Sequence, residues 1–190
     1  MPIKQIGEPS WRADIEHKKK LTKDDAKFLF DQAEKLLKDT LETSETIVNR
    51  TNTLLTLISA SLLAVIGYII SRLGGTSTND NLLITAIIGA VYLYILALSC
   101  FENTKPKSYL IAGTLPKDLF VASFFEASIP DEERIIRFYA NEIDNYQFKI
   151  EVNAKLNTIR WRKYKNILRG LLWLPIVLTL LSLLIFWFRN

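Results

Sequence analysis

The sequence predicts an all-α membrane protein with three transmembrane helices and long cytoplasmic helical extensions that lead into spans one and three. Hydrophobic residues make up 49% of the 190 residues, yet the mean hydropathy is only +0.13. The apolar residues are therefore concentrated in blocks within an otherwise polar chain. Three observations carry the prediction: the uncharged blocks, the uneven distribution of basic residues, and two helical patterns without breakers.

Three uncharged blocks are each long enough to cross a bilayer. They cover residues 51–71, 82–101 and 170–188, which is 21, 20 and 19 residues without a charge. A helix needs about 20 apolar residues to cross the hydrocarbon core, and a soluble core helix is rarely apolar on every face over that length. We also expect no cleaved signal peptide, because residues 1–20 are polar, and no internal disulfide, because Cys100 is the only cysteine.

Basic residues indicate how the spans are oriented. Ten of the 24 Lys and Arg residues fall in 1–50 and twelve in 102–169, whereas the turn after the first block has only Arg72 and the tail only Arg189. Basic residues are retained on the cytoplasmic side of a membrane. We therefore expect an N-terminus in the cytoplasm, a C-terminus outside, and four segments. These are a cytoplasmic arm and amphipathic helix (1–50), a transmembrane hairpin (51–101, with spans 51–71 and 82–101), a cytoplasmic helical region (102–169), and a third span with a short external tail (170–190).

The first extension is predicted to be a helix that begins near residue 22. Thr22 and Asp25 fit the capping box, in which a threonine and an acid three residues later cap each other's backbone N–H groups. No glycine or proline interrupts residues 23–66, so we expect one helix that continues into span one and ends at Gly74-Gly75. Its inward-facing stripe is predicted from apolar or small residues at steps of three and four: Ala26, Leu29, Ala33, Leu36, Thr40, Thr43 and Ile47.

A second long helix is predicted to begin after Pro130 and to continue into span three. Three acids follow the proline, at the end of a helix where the dipole favours negative charge. No breaker precedes Gly170, and Pro175 is expected to kink the span rather than end it. A heptad seam runs along the helix and turns polar at its last two positions: Ile136, Tyr139, Ile143, Tyr146, Ile150, Asn153 and Asn157.

The segment before this helix, residues 102–130, is predicted to be irregular because it contains three prolines and a glycine. Three phenylalanines, Phe120, Phe124 and Phe125, lie towards its end. We expect them to pack on the cytoplasmic helices rather than in the membrane interface, because the segment lacks the basic face of a membrane-surface helix.

Catalytic and metal-binding patterns are sparse, so we expect no enzyme, no cofactor and no metal site. His17 is the only histidine, and a single histidine with a single cysteine does not supply the ligand cluster that a metal needs. No phosphate-binding glycine loop or nucleophile elbow occurs. The acidic clusters, Asp24-Asp25 and Asp131-Glu132-Glu133, stand at predicted helix starts, where capping explains them.

The stretch NRTNTLLTLISA (49–60) places polar and small side chains along one side of the first span. Such residues usually indicate close helix packing, but they can also line a water path in which side-chain oxygens replace hydration. Three spans enclose too little space for a pore, so a conducting path needs several copies. The predicted assembly or pore face comprises Asn49, Asn52, Thr53, Thr56, Ser59, Ala60, Ala64 and Gly67, with Thr85, Gly89 and Tyr92 from the second span.

A basic run immediately precedes the third span. KLNTIRWRKYKNILR (155–169) holds six basic residues and no acid, together with Trp161 and Tyr164. It is explained by a positive anchor with interfacial aromatic residues; the alternative is a site for anionic lipid head groups, a nucleotide or nucleic acid. The basic residues of this juxtamembrane patch are Lys155, Arg160, Arg162, Lys163, Lys165 and Arg169.

The arrangement resembles a class of bacterial proteins. An amphipathic helix reaches the entry Asn49-Arg50-Thr51-Asn52-Thr53-Leu54-Leu55, a short hairpin follows, and an Asn- and Glu-rich helix (139–165) leads into the last span. This resembles the small α-helical transmembrane effectors of bacterial antiphage defence systems: SLATT-type proteins and the Pycsar, CBASS or retron membrane effectors. Many of these have two or four spans, whereas this chain has three predicted spans.

The resemblance implies an effector in the bacterial inner membrane that is silent until a cytoplasmic protein partner or small signalling ligand triggers it. The triggered chain would form a homo-oligomer that permeabilises or depolarises the membrane. It implies no catalytic residues, and we expect no sequence-specific binding of nucleic acid. Two alternatives stay open: a non-conducting membrane anchor that recruits a soluble partner, and a subunit of a housekeeping channel or transporter.

Overall fold

The computed structural model describes residues 20–74, 80–113, 125 and 129–189, and over these residues the protein is helical, with no strand. Three helices occur: α1 (Lys23–Leu73), α2 (Asp80–Thr104) and α3 (Asp131–Arg189), of 51, 25 and 59 residues. Each contains a stretch that is long and apolar enough to cross a membrane. The predicted all-α class with three candidate spans is confirmed.

Helix α1 begins with the predicted capping box. The Thr22 hydroxyl accepts a hydrogen bond from the Asp25 backbone N–H (3.2 Å), and the Asp25 carboxylate accepts one from the Thr22 N–H (3.1 Å). Hydrogen bonds from the Thr22 hydroxyl first, and from its backbone N–H second, hold the pKa of Asp25 below its ordinary value. At the other end the Gly74 N–H donates to the Ile70 carbonyl (3.1 Å), one residue beyond the helix.

Helix α3 also follows the sequence pattern. Its first turn carries Asp131, Glu132 and Glu133, and it continues without interruption past Gly170, with Pro175 inside it. Two of the acids pair with arginines one turn later: Asp131 with Arg134 (2.9 Å) and Glu133 with Arg137 (2.7 Å). The acidic cluster is therefore accounted for by local ion pairs and by the helix start.

Contacts divide the chain into two compact units, and α1 and α3 contribute to both. The first unit comprises residues 1–44 and 107–158. Its core is formed by Leu37, Tyr146 and Ile150, with Phe30 stacked on Tyr146 at a ring-centroid distance of 5.3 Å. Phe125 meets Phe138 edge-on at 5.9 Å, as expected for packing on the helices, whereas Phe120 and Phe124 lie outside the described residues.

The second unit comprises residues 45–106 and 159–190, and it contains the three apolar stretches. All three helices contribute to its core, which is completed by the sulfur of Cys100. The buried core residues are Leu54, Ile58, Leu93, Leu96, Cys100 and Ile167.

The inward-facing stripe of α1 differs from the prediction by one residue at alternate positions. Leu29 and Leu36 are 42% and 50% exposed, and Thr43 is exposed as well, so the prediction was wrong for these three. The seam instead uses the next residue in each case: Phe30, Leu37 and Ser44. Both choices give steps of three and four, and the contact of Phe30 and Leu37 with α3 selects between them.

The predicted seam of α3 lies inside. Tyr146, Ile150, Asn153 and Asn157 are buried, and the three earlier positions are half-buried. The same spacing of three and four continues beyond Asn157 to Arg160, then to Tyr164 and Ile167. One heptad pattern therefore runs through the polar positions and into the apolar span.

Candidate functional site

The polar and small residues at the start of span one form an open stripe on α1. Seven of the eight predicted residues are exposed, and Ser59 is half-buried. The core residues Leu54 and Ile58 of the same helix lie on the opposite side, because a separation of two residues turns a helix by about 200°. We call the seven exposed residues the open stripe: Asn49, Asn52, Thr53, Thr56, Ala60, Ala64 and Gly67.

Two hydroxyl groups of the open stripe are already satisfied by their own helix. Thr53 donates to the Asn49 carbonyl and Thr56 to the Asn52 carbonyl, both at 3.1 Å. The amides of Asn49 and Asn52 make no hydrogen bond with the residues that the structure describes. A β-carbon added at Gly67 would meet no atom within 4 Å. The stripe is therefore a surface of mostly small and polar side chains, and exposed Leu63 interrupts it between Ala60 and Gly67.

The three predicted residues of α2 are less exposed than the stripe, and two of them, Thr85 and Gly89, line a groove together with Ala64 of the open stripe. Gly89 is buried, and a β-carbon there would lie 3.2 Å from the side chain of Leu178. Tyr92 is half-buried and donates a hydrogen bond to the Gly170 carbonyl at 3.2 Å. Thr85 is half-buried and donates to the Asn81 carbonyl at 2.9 Å. Gly89 and Tyr92 therefore contact α3 within the second unit, and only the groove at Ala64 brings residues of α2 next to the open stripe.

A buried polar layer joins the three helices of the second unit next to the apolar core. Thr51, Asn103 and Arg160 contribute one residue from each helix. The Asn103 amide donates to the Thr51 hydroxyl (3.2 Å) and to the Arg160 carbonyl (3.3 Å), and the Thr51 hydroxyl donates to the Ile47 carbonyl (2.7 Å). We call this set the three-helix polar layer; it favours one alignment of the helices, because a shift would break these buried hydrogen bonds, although the Asn103 amide oxygen has no partner among the described residues.

Arg160 also caps the end of α2. Its guanidinium donates to the Lys105 carbonyl at 2.7 Å, immediately after the last residue of that helix. The carbonyl end of a helix carries partial negative charge, so a cation there is favourable. Arg160 is only 2% exposed. It therefore differs from the other five residues of the predicted basic patch, which are exposed: Lys155, Arg162, Lys163, Lys165 and Arg169.

The aromatic residues of the basic run form a small stack. Trp161 and Tyr164 lie with their ring centroids 5.2 Å apart and nearly parallel. Two cations lie over the Trp161 ring, Arg50 at 5.6 Å and Lys165 at 5.5 Å. Such cation–π contacts hold these two charges at the indole ring.

The first unit contains a second polar layer, built on the two asparagines that end the predicted seam. Asn153 pairs with the backbone of Leu110: its amide donates to the Leu110 carbonyl (2.9 Å), and its oxygen accepts from the Leu110 N–H (3.0 Å). Asn157 donates to the Thr40 carbonyl (2.7 Å) and accepts from the Tyr109 hydroxyl (3.0 Å). We call this the asparagine layer; it attaches the irregular residues 107–113 to α3.

The end of this irregular segment is held by Tyr146 and Lys149. The Gly113 N–H donates to the Tyr146 hydroxyl at 3.3 Å, and the Lys149 ammonium donates to the Gly113 carbonyl. Gly113 has a positive φ of 88°, a conformation that favours glycine. Burial raises the pKa of Tyr146 above its ordinary value, and the hydrogen bond from Gly113 opposes that shift only in part.

Potential metal ligands do not cluster in the part of the chain that the structure describes. Over those residues no group of three His, Cys, Asp or Glu side chains is placed to hold a metal ion. His17 lies outside them. Cys100 is fully buried in the apolar core, where its thiol contributes to packing.

Sequence reasoning missed Thr51 and Asn103 and placed Arg160 in a different role. The corrected seam of α1 contains Thr51, since the steps from Ser44 to Ile47 and on to Leu54 pass through it. That spacing was available in the sequence. The partners are 52 and 57 residues apart along the chain, and no sequence pattern indicates that pairing.

Comparison of the chain with family models, with curated proteins and with solved structures gives no match.

Proposed function

We propose that this chain is a membrane effector of a bacterial antiphage system of the abortive-infection type. In this proposal the second unit crosses the inner membrane with its three apolar stretches, and the first unit is cytoplasmic. When triggered through the first unit, copies of the chain associate through the open stripe and permeabilise or depolarise the membrane. The chain acts without catalysis and without a cofactor.

The open stripe is the observation that carries the proposal. Within one copy the core side of α1 is covered, while the side with the polar and small residues is not. In lipid, association of helices depends on close packing and on polar contacts between them, since lipid tails are as apolar as leucine. The exposed amides of Asn49 and Asn52 are the groups that gain the most new hydrogen bonds when a second copy packs on the stripe.

A test of the proposal combines expression with a measurement of membrane potential. Inducible expression in bacteria, with a potential-sensitive dye, is expected to show depolarisation and growth arrest, alone or with the neighbouring genes and a phage trigger. Thr56→Leu is expected to abolish both, because the added bulk prevents close approach. Thr179→Leu is the matched control, since Thr179 is also an exposed threonine bonded to the carbonyl four residues earlier.

The outcomes are distinct. Loss of depolarisation in Thr56→Leu alone, at equal protein level in the membrane fraction, supports association through the stripe. Equal loss in Thr179→Leu indicates a general intolerance of added bulk and contradicts the stripe as the surface. An unchanged potential in the unaltered protein, with the trigger present, overturns the effector proposal.

The proposed orientation is tested separately. In a Cys100→Ser background, Ser77→Cys lies in the turn between the first two spans and Ser108→Cys in the cytoplasmic part. A membrane-impermeant maleimide applied to intact spheroplasts is expected to label only the first. Labelling of Ser108→Cys in intact spheroplasts contradicts the orientation.

A second candidate function is a non-conducting anchor that recruits a soluble partner. The observation that favours it is an apolar surface on α1 in the first unit, where Phe28, Leu29 and Leu36 are 62%, 42% and 50% exposed. For an anchor, Phe28→Glu is expected to abolish co-purification of a partner while expression leaves the potential unchanged. Depolarisation by the unaltered protein excludes this function.

A further inference from the structure

A groove between α2 and α3 in the second unit has one polar end and one apolar end. Its volume is ≈ 500 Å³. The apolar part is formed by Ile95, Leu96, Leu98 and Ile167, and the polar part by Ser99, Glu102, Lys163 and Asn166. Both helices thus present polar side chains at one end of a single concave surface.

The polar end coincides with the ends of two apolar blocks. Glu102 directly follows the last residue of the second block, 82–101. Lys163 precedes Gly170 by seven residues, which is about 10 Å along a helix. If the blocks cross a bilayer, the polar end of the groove lies at the level of the lipid head groups and the apolar end at the level of the acyl chains.

Lys163 is the cation that the groove offers to a ligand. It lines the groove, it is exposed, and it forms no ion pair with any described residue. The Glu102 carboxylate also lines the groove, but its charge is balanced by an ion pair with the Lys105 ammonium. Lys165 lies over Trp161 and Arg160 is buried, so these two charges are engaged elsewhere.

We propose that this groove binds one anionic phospholipid of the cytoplasmic leaflet. The lipid phosphate meets the Lys163 ammonium and the Asn166 amide, and an acyl chain lies along Ile95 and Leu98. This inference rests on the proposed function only in that the second unit crosses a membrane. Basic residues beside a span attract anionic lipids, and an apolar surface continuous with the basic one favours a lipid over a soluble anion, which would leave that surface uncovered.

Native mass spectrometry of the purified protein in a neutral maltoside detergent tests the proposal. The probes are phosphatidylglycerol and phosphatidylcholine with identical acyl chains. We expect saturable binding of one phosphatidylglycerol, and weaker, unsaturated binding of phosphatidylcholine. Lys163→Gln is expected to weaken the phosphatidylglycerol affinity about fivefold, and Ser99→Trp, which fills the groove and leaves Lys163 in place, is expected to remove saturable binding.

Arg162→Gln is the matched control, because Arg162 is an exposed basic residue adjacent to Lys163 that does not line the groove. It is expected to bind phosphatidylglycerol as the unaltered protein does. An equal loss in Arg162→Gln indicates attraction by the whole basic run and overturns the groove. Displacement of the lipid by an equal concentration of inorganic phosphate shows a site for a soluble anion, and a second copy of the chain in place of the lipid shows a protein interface; either result overturns the proposal.

Failure of this inference and failure of the proposed function are distinguishable. Lipid binding is measured on a single copy in detergent, with no membrane potential and no trigger. A chain that binds the lipid but never depolarises cells retains the groove and loses the effector role. A chain that depolarises cells but binds both lipids alike retains the effector role and loses the groove.

Discussion

The asparagine layer makes a quantitative prediction for Asn153→Ala. The Asn153 side chain is fully buried and makes two hydrogen bonds with the backbone of Leu110, plus a weaker one with the Thr40 hydroxyl at 3.3 Å. Truncation leaves the N–H and the carbonyl of Leu110 without these partners. A buried polar group left unpaired costs about 1–3 kcal/mol, so we expect a loss of about 2 kcal/mol in the free energy that holds residues 107–113 on α3.

Trypsin cleavage of one peptide bond, the bond after Lys107, measures the release of residues 107–113 from α3. Lys105 is followed by Pro106, which blocks cleavage, so Lys107 provides the only tryptic site in residues 105–113. When cleavage follows transient opening, its rate is proportional to the population of the open form. A loss of about 2 kcal/mol therefore predicts that cleavage after Lys107 becomes about 30-fold faster. The measurement is the rate of appearance of fragments ending at Lys107, by mass spectrometry of the detergent-solubilised protein.

Two controls separate local release from other effects. Thr158→Ala removes an exposed hydroxyl that is bonded within its own helix, to the Ala154 carbonyl, and it should leave the rate unchanged. Labelling of buried Cys100 by a maleimide should stay slow in Asn153→Ala, since global unfolding would expose that thiol. A rate for Asn153→Ala within about threefold of the unaltered protein corresponds to less than about 0.7 kcal/mol and refutes the reasoning.

Three further predictions concern the other polar contacts, the glycines and the helix start. Arg160→Ala removes the 2.7 Å bond to the Lys105 carbonyl and should speed maleimide labelling of Cys100 at least tenfold, whereas exposed Arg162→Ala should not; equal rates in both contradict the three-helix polar layer. A β-carbon at Gly170 would lie 3.0 Å from the Tyr92 hydroxyl and 3.1 Å from Leu96, so Gly170→Ala should unfold at a lower temperature in detergent than Gly67→Ala, which meets nothing within 4 Å; the reverse order contradicts the packing. The pKa of Asp25 is lower in the folded protein than its unfolded value of 3.8. The stabilisation that its carboxylate gives to the start of α1 is therefore fully present above pH 3.8 and is lost as the pH falls through the lower folded pKa. Amide exchange at residues 25–28, corrected for intrinsic rates, should therefore quicken below that pH, and Thr22→Ala should abolish the difference; an unchanged profile in Thr22→Ala contradicts the capping box.

Much of the helical architecture follows from local patterns. The capping box and the acids after Pro130 act within one or two helical turns, and the uninterrupted residues 23–66 and the three uncharged blocks are continuous runs of sequence, so a single sequence specifies all of them. The buried positions from Tyr146 to Asn157 also follow steps of three and four, although a second apolar series through Phe148 and Val152 has the same spacing and Val152 is buried as well.

The sequence does not identify which residues form the inward-facing stripe of α1, and the reason is physical. At two points a large apolar side chain is followed directly by another, Leu29 by Phe30 and Leu36 by Leu37. Either series forms a helical stripe with the intervening small residues, so propensity and periodicity do not distinguish them. Packing against Tyr146 and Ile150 decides, and that contact spans more than a hundred residues of chain.

The polar layers were beyond sequence reasoning because their energetics depend on distant backbone groups. Asn153 and Asn157 are visible as polar residues in a seam, but their partners include the backbone of Leu110 and of Thr40. Nothing in the residue type of Leu110 indicates that it pairs with an asparagine. Arg160 was grouped with its basic neighbours because charge is visible in a sequence and burial is not.

The hydrogen bonds of Thr53 and Thr56 within α1 have a consequence for the association of copies of the chain. Each hydroxyl donates to a carbonyl of the same helix. A single copy surrounded by lipid would therefore have no unpaired hydroxyl donor at these positions, and association with a second copy would not change the number of these hydrogen bonds. If copies associate in a membrane as proposed, these two hydroxyls favour neither the dispersed nor the clustered state, so the balance between the two states depends on other groups of the stripe.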